Sequence, residues 1–151
     1  SVLSEKIDVQ ICEIMENTCL LMENYFQEKH ITLQKKYETG VPEAPVDPTQ
    51  IKQVFLNILM NAVESMPDGG KLDVNIESID GSVKIYIVDA GKGMKQGVLQ
   101  NIYDPFFTTK PSGTGVGLSV SLKIIEDHGG TIDAISEQGK GTTMLLTLPI
   151  K

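Results

Sequence analysis

The chain has 151 residues, with 20 acidic and 13 basic side chains and a formal net charge of −7, and every basic residue is lysine. An acidic chain without arginine lacks the basic face that a nucleic-acid backbone requires. It also lacks the planar bidentate forks that usually grip phosphate, so any phosphate it handles falls to backbone amides and lysine.

An apolar content of 40% with 22% charged residues supports one packed core, and the length predicts a single domain over 1–151. Unbroken apolar runs reach four residues, as at 19–22, against roughly 18 for a membrane helix. The first residues show no basic segment leading into an apolar one. Cys12 and Cys19 stand about two helical turns apart, too far for a bridge within one helix; they read as reduced core thiols of a cytoplasmic protein.

In chain order, Ile11, Ile14, Met15, Leu21, Met22, Tyr25 and Phe26 recur at helical spacing and predict one helix over about 7–27. Ile31, Leu33 and Lys35 alternate with polar neighbours and predict a short strand, followed by a proline-rich loop at 40–45. Asp47-Pro48-Thr49-Gln50 is a helix start, with Asp47 as cap, Pro48 in the first helical position and Gln50 completing a capping box. The helix it opens has Ile51, Val54, Phe55, Ile58, Leu59, Ala62 and Met66 on one face, and Pro67-Asp68-Gly69-Gly70 ends it. Leu72, Val74 and Ile76 alternate with Asp73, Asn75 and Glu77 as a strand with one wet face, Asp80-Gly81 signals a hairpin, and 83–88 form a more buried strand that ends at Asp89. A short helix and a loop fill 95–112, and residues 113–117 lead into a helix running to about Asp127, closed by His128-Gly129-Gly130. Two last strands, 131–136 and 142–148, are joined by Gln138-Gly139-Lys140-Gly141. The order predicts an α/β two-layer sandwich with helices on one face of a mixed sheet.

Glycine concentrates in the second half, with 10 of 14 at or beyond Gly91. Asn57 and Asn61 stack on one helix face, in a polar stripe with Gln53 and Glu64. A neutral amide oxygen can ligate magnesium and leave the metal's charge for phosphates, although alone the stripe reads as a solvated flank. Asp89 ends a buried strand beside Gly91 and Gly93, where a carboxylate can accept from an exocyclic amine while the backbone approaches a flat ligand. Gly113-Thr114-Gly115-Val116-Gly117-Leu118 opens a helix and makes an anion site of backbone amides. Its spacing fits neither a dinucleotide fingerprint nor a Walker loop. Phe106-Phe107-Thr108-Thr109-Lys110 suits a lid over a site, with Lys110 placed to reach a phosphate at the glycine turn. His128 lies at a helix C-terminus, where the dipole favours a protonated imidazole, and reads as structural. His30 sits in a polar stretch, and no cysteine–histidine metal cluster or Ser/His/Asp arrangement stands out.

In this order the motifs resemble the ATP-binding catalytic domain of two-component sensor histidine kinases, in the group that includes sporulation and nitrogen-regulation kinases. Residues 53–62 resemble the family's asparagine box, and 89–94 its first glycine box. Residues 104–110 resemble its phenylalanine box, 113–118 its second glycine box, and 139–142 its closing glycine–threonine motif. The resemblance implies the Bergerat sandwich, a mixed, mostly antiparallel sheet under one layer of helices. It implies that Asn61 ligates Mg2+ bridging the ATP phosphates, with Asn57 beside it, and that Asp89 accepts the adenine amino group. Gly91 and Gly93 would admit the nucleotide, Met94 would line the pocket, and 94–113 would be the ATP lid, carrying Thr108, Thr109 and Lys110. Amides of Gly113, Thr114, Gly115, Val116, Gly117 and Leu118 would cradle the phosphates, with Thr142 near adenine.

Two positions depart from the family's pattern. Glu64 and Ser65 stand where many members have a basic and an aromatic residue, which leaves Lys110 as the cationic partner. Met144 replaces an aromatic. The implied activity is transfer of the ATP γ-phosphoryl to a histidine. Related ATPases place a water-activating glutamate where this chain has Asn57, which cannot act as a general base. Neither His30 nor His128 has the context of the family's acceptor histidine. The resemblance therefore implies a missing dimerisation and phosphoacceptor segment reached through a linker at 1–6, a response regulator downstream, a monomeric fragment, and a dimeric parent, its membrane attachment left open. The alternatives are an anti-sigma-type serine kinase, for which a carboxylate at position 57 is expected, and a non-catalytic nucleotide-sensing module.

Overall fold

The computed structural model describes residues 5–102 and 117–151. The expected single first helix is instead three elements: β1 (Ile7–Val9), α1 (Ile11–Leu21) and α2 (Glu23–Glu28). Gln10 turns the chain, its side chain accepting from the N–H of Cys12, while residues 7–9 pair antiparallel with β3 (Ala44–Val46) at the end of the proline-rich loop. Backbone pairing to a distant segment thus overrides the helical spacing of the side chains. The helix breaks again at Met22 before α2 begins.

β2 (Ile31–Tyr37) follows, then α3 (Pro48–Glu64), β4 (Gly70–Ile79), β5 (Ser82–Asp89), α4 (Gln96–Leu99), α5 (Gly117–Asp127), β6 (Thr131–Glu137) and β7 (Gly141–Pro149). The main sheet has the order β2-β4-β5-β7-β6. β2 runs parallel to β4 and every other pair is antiparallel, so the sheet is mixed and mostly antiparallel. The hairpin between β4 and β5 turns on Asp80 (φ 53°) and Gly81 (φ 78°), two positive φ values in succession, as a two-residue Asp-Gly turn requires.

Alternation fixes which face the helices cover. Leu72, Val74 and Ile76 of β4, Val83, Ile85 and Ile87 of β5, and Met144, Leu146 and Leu148 of β7 are all buried. They form one core with Ile11, Met15, Ile51, Phe55, Ile58 and Ile125 from the helices. Each such aliphatic side chain contributes roughly 1.5–3 kcal/mol by leaving water. α3 packs against both α1 and α5. Cys19 is buried and Cys12 half-buried, both as free thiols, and burial pushes the Cys19 thiol up to about 11.

Candidate nucleotide-binding site

The inward row of β5, Val83, Ile85 and Ile87, continues into Asp89, 7% exposed. A carboxylate thus occupies a place the pattern gives to an aliphatic side chain. Burial raises its pKa above the usual aspartate value, partly offset by hydrogen bonds from the Gly91 N–H, the Ser65 hydroxyl and the Thr142 N–H. Gly91 N–H donates to Asp89 Oδ1 at 2.9 Å. This desolvated, anchored acceptor sits opposite Leu72 on one side and Thr142 on the other.

The glycines around it are required by the protein's own backbone. A Cβ on Gly91 would strike the hydroxyl and carbonyl of Ser65, one on Gly93 the carbonyl of Glu137, and one on Gly141 the carbonyl of Asp89. The segment is sewn down further: Lys92 N–H donates to Ser65 O at 3.3 Å and Gly139 N–H to Lys92 O at 2.6 Å. Met94 N–H donates to Ser136 Oγ at 2.9 Å. That hydroxyl donates to Gly141 O at 3.1 Å, and it lies 2.7 Å from Thr142 Oγ1. Ser65 and Ser136 were not among the expected site residues. A serine after a helix and another inside a strand carry no pattern of their own, and only the tertiary fold brings them to Asp89 and Met94.

The asparagines come from α3, which starts where its sequence predicts. Asp47 caps it, accepting from Thr49 N–H at 3.0 Å and Gln50 N–H at 3.2 Å. The capping box does not form, because Asp47 N–H donates to His128 Nε2 at 3.0 Å, and Gln50 Oε1 is buried without a hydrogen-bond partner. Asn57 Nδ2 donates to Ser121 Oγ across to α5 at 3.4 Å. Asn57, Asn61 and Ser65 follow at intervals of four and form one stripe, about 12 Å long. It begins beside α5 and ends at Asp89.

α3 and α5 run antiparallel: residue 47 meets residue 128 and residue 57 meets residue 121. Four residues on from Asn57 and four back from Ser121 bring Asn61 level with the first turn of α5, at Gly117 and Leu118. Leu118 packs against the core. The structure thus gathers Asp89, Gly91, Gly93, Met94 and Thr142 at one end of the stripe, and Asn57, Asn61 and the start of α5 at the other. Thr108, Thr109, Lys110, Gly113, Thr114, Gly115 and Val116 lie outside the described residues, as do Phe106 and Phe107. Among the described residues no group of three or more His, Cys, Asp or Glu could hold a metal ion, and no helix is long and apolar enough to cross a membrane.

Residues 46–151 match the family described as histidine kinase-, DNA gyrase B-, and HSP90-like ATPase. The chain is 43% identical over 142 residues to sporulation kinase E of Bacillus subtilis, covering 93% of this chain and 19% of the relative. It is 36% identical over 142 residues to the sensor histidine kinase ZraS of Escherichia coli K12, covering 94% of this chain and 30% of the relative. The nucleotide-free catalytic domain of the histidine kinase ThkA superposes with a TM-score of 0.87 at 30% identity, over 97% of this chain and 96% of that one. ThkA in complex with the response regulator protein TrrA gives 0.84 at 26% identity, over 97% of this chain and 42% of that one. The chain spans 19% to 33% of the length of the curated relatives compared. An acidic sheet end, an asparagine stripe and a glycine-opened helix on this sandwich, with these matches, lead to one assignment: the chain belongs to the histidine kinase-, DNA gyrase B- and HSP90-like ATPase family, and it is similar to sensor histidine kinases and their catalytic domains.

Proposed function

We propose that the chain binds Mg2+–ATP and transfers its γ-phosphoryl group to a histidine on a phosphoacceptor segment outside residues 1–151. The observation that carries this reading is the stripe from Asp89 to the start of α5, with a desolvated carboxylate at one end and helix-terminal amides at the other. A mononucleotide along this stripe would have its adenine amino group donating to Asp89 and its phosphates at the amides of residues 113–118. Met94 and Thr142 border the base, with Gly91 and Gly93 behind it. Thr108, Thr109 and Lys110 would close over the phosphates, Lys110 supplying the positive charge that arginine supplies elsewhere.

The donor set suits magnesium. One neutral amide oxygen, from Asn61, agrees with an ion that keeps most of its waters and takes the remaining ligands from phosphates. When bound, it neutralises charge on the phosphates during transfer. Asn57 hydrogen-bonds Ser121 and orients groups without accepting a proton, which favours transfer to an already nucleophilic imidazole over hydrolysis. Neither histidine of the chain fits the acceptor's role. Both ring nitrogens of His128 are engaged and the residue is 6% exposed, and His30 lies on a turn at φ 59°. The parent would act on a response regulator, as the complex of ThkA with TrrA illustrates for that kinase.

Incubation with Mg2+ and γ-labelled ATP tests this reading. Nucleotide binding without stable self-labelling is expected, together with labelling of an added phosphoacceptor segment from a similar kinase. Phosphohistidine on His30 or His128 would contradict it.

A further inference from the structure

The sequence alone gave His128 a place beside a helix dipole, whereas its hydrogen bonds give it a different task. Nδ1–H donates to Ile124 O within α5 at 2.7 Å, and Nε2 accepts the backbone N–H of Asp47 at 3.0 Å. An Nε2 that accepts carries no proton, so the ring is the neutral Nδ1–H tautomer. The Asp47 carboxylate already receives the N–H groups of Thr49, Gln50 and Glu5. The imidazole therefore takes the backbone donor that a capping box would assign to Gln50. It does so from another helix, joining the last turn of α5 to the first residue of α3.

This bond and another pin the antiparallel helices to each other. The other, Asn57 to Ser121, is longer at 3.4 Å and joins two polar side chains. The His128 pin is shorter and made to backbone, so it resists sliding of one helix past the other. Sliding would change the level at which Asn57 and Asn61 face the first turn of α5.

We infer that His128 is a positioning residue for the nucleotide site: by accepting the Asp47 N–H it fixes the register of α3 against α5, and with it the alignment of Asn57 and Asn61 to the start of α5. The inference rests on that pair forming the phosphate end of the site described above.

Two substitutions separate the bonds. His128→Asn keeps a donor near the Nδ1 level and has nothing at the Nε2 level, while His128→Gln returns an acceptor oxygen to it. The side-chain amide resonances of Asn57 and Asn61, recorded without nucleotide, report the register, and calorimetric titration with Mg2+–ATP reports the site. His128→Asn is expected to shift both resonances and weaken binding roughly tenfold, with His128→Gln returning both towards wild type. A His128→Asn protein that loses stability while keeping the resonances and the affinity would overturn the inference, leaving the histidine a purely structural cap. If the wild type does not bind Mg2+–ATP, the nucleotide reading fails, and the amide resonances still decide the register. Should His128→Asn not fold, the nitrogen spectrum of the wild-type ring decides: an unprotonated Nε2 supports the inference and a protonated one overturns it.

Discussion

In the proposed site, Asp89 would serve binding at the expense of stability. Burial raises its pKa in the folded chain, so the folded chain holds this proton more tightly than the unfolded one. The stability this gives is fully present below the unfolded aspartate pKa and is lost as pH rises through the folded value. Asp89→Asn keeps the acceptor for Gly91 N–H and has no charge to desolvate. Thermal unfolding is therefore expected to show a variant whose advantage over wild type grows as pH rises from 4 to 7. An advantage that shrinks with pH would contradict the account. Gly141 and Gly139 make a second residue-scale test, because they share one turn with φ of 94° and 84°. Only Gly141 has backbone where a Cβ would go, while Gly139 has open space within 4 Å. Gly141→Ala should cost about 1–3 kcal/mol more than Gly139→Ala in denaturant unfolding. Equal costs would mean that the close approach to Asp89 carries no weight. Asp89, Gly91 and Gly93 stood out in the sequence as exceptions to a local pattern, whereas Asn57 and Asn61 alone read as a solvated flank and were singled out only by the family resemblance. Ser65, Ser136 and the His128 bond were not legible in it, since each depends on a partner distant along the chain.

Among the elements, α3 does most to build the candidate site, and it starts at the residue the sequence predicts, with the Asp47 cap but without the expected capping box. Asp47 caps it and also receives Glu5 N–H at 3.0 Å; that bond is the largest cause of its lowered pKa. Asp47→Ala keeps the N–H for His128 but loses three acceptor bonds. The expected loss is about 1–2 kcal/mol, at the upper end for a helix cap, measured as a lower denaturant midpoint with unchanged slope. A loss below a few tenths would show that the cap is dispensable. The depressed pKa places this stability above the unfolded aspartate value, to be lost as pH falls through the folded one. The first helix shows where local reading fails. Residues 7–9 have apolar spacing compatible with a helix, yet pairing with residues 44–46 decides their backbone, and no local feature announces that partner.

At the scale of the whole molecule, the order of elements and the alternation in β4, β5 and β7 were enough to derive the layered fold. The parallel pairing of β2 with β4 was not, because nothing local distinguishes its direction. The sandwich serves function by holding one buried acidic group level with the end of a helix stripe whose other end meets a second helix. Direct calorimetric titration of the chain with ATP, in Mg2+ and in chelator, tests this layout. The account predicts saturable one-site binding, weakened tenfold or more by Asp89→Asn in both conditions, as expected for a lost hydrogen bond to a charged group. It predicts that Asn61→Ala weakens binding in Mg2+ more than in chelator. Unchanged affinity of Asp89→Asn would contradict the central claim that this carboxylate holds the base.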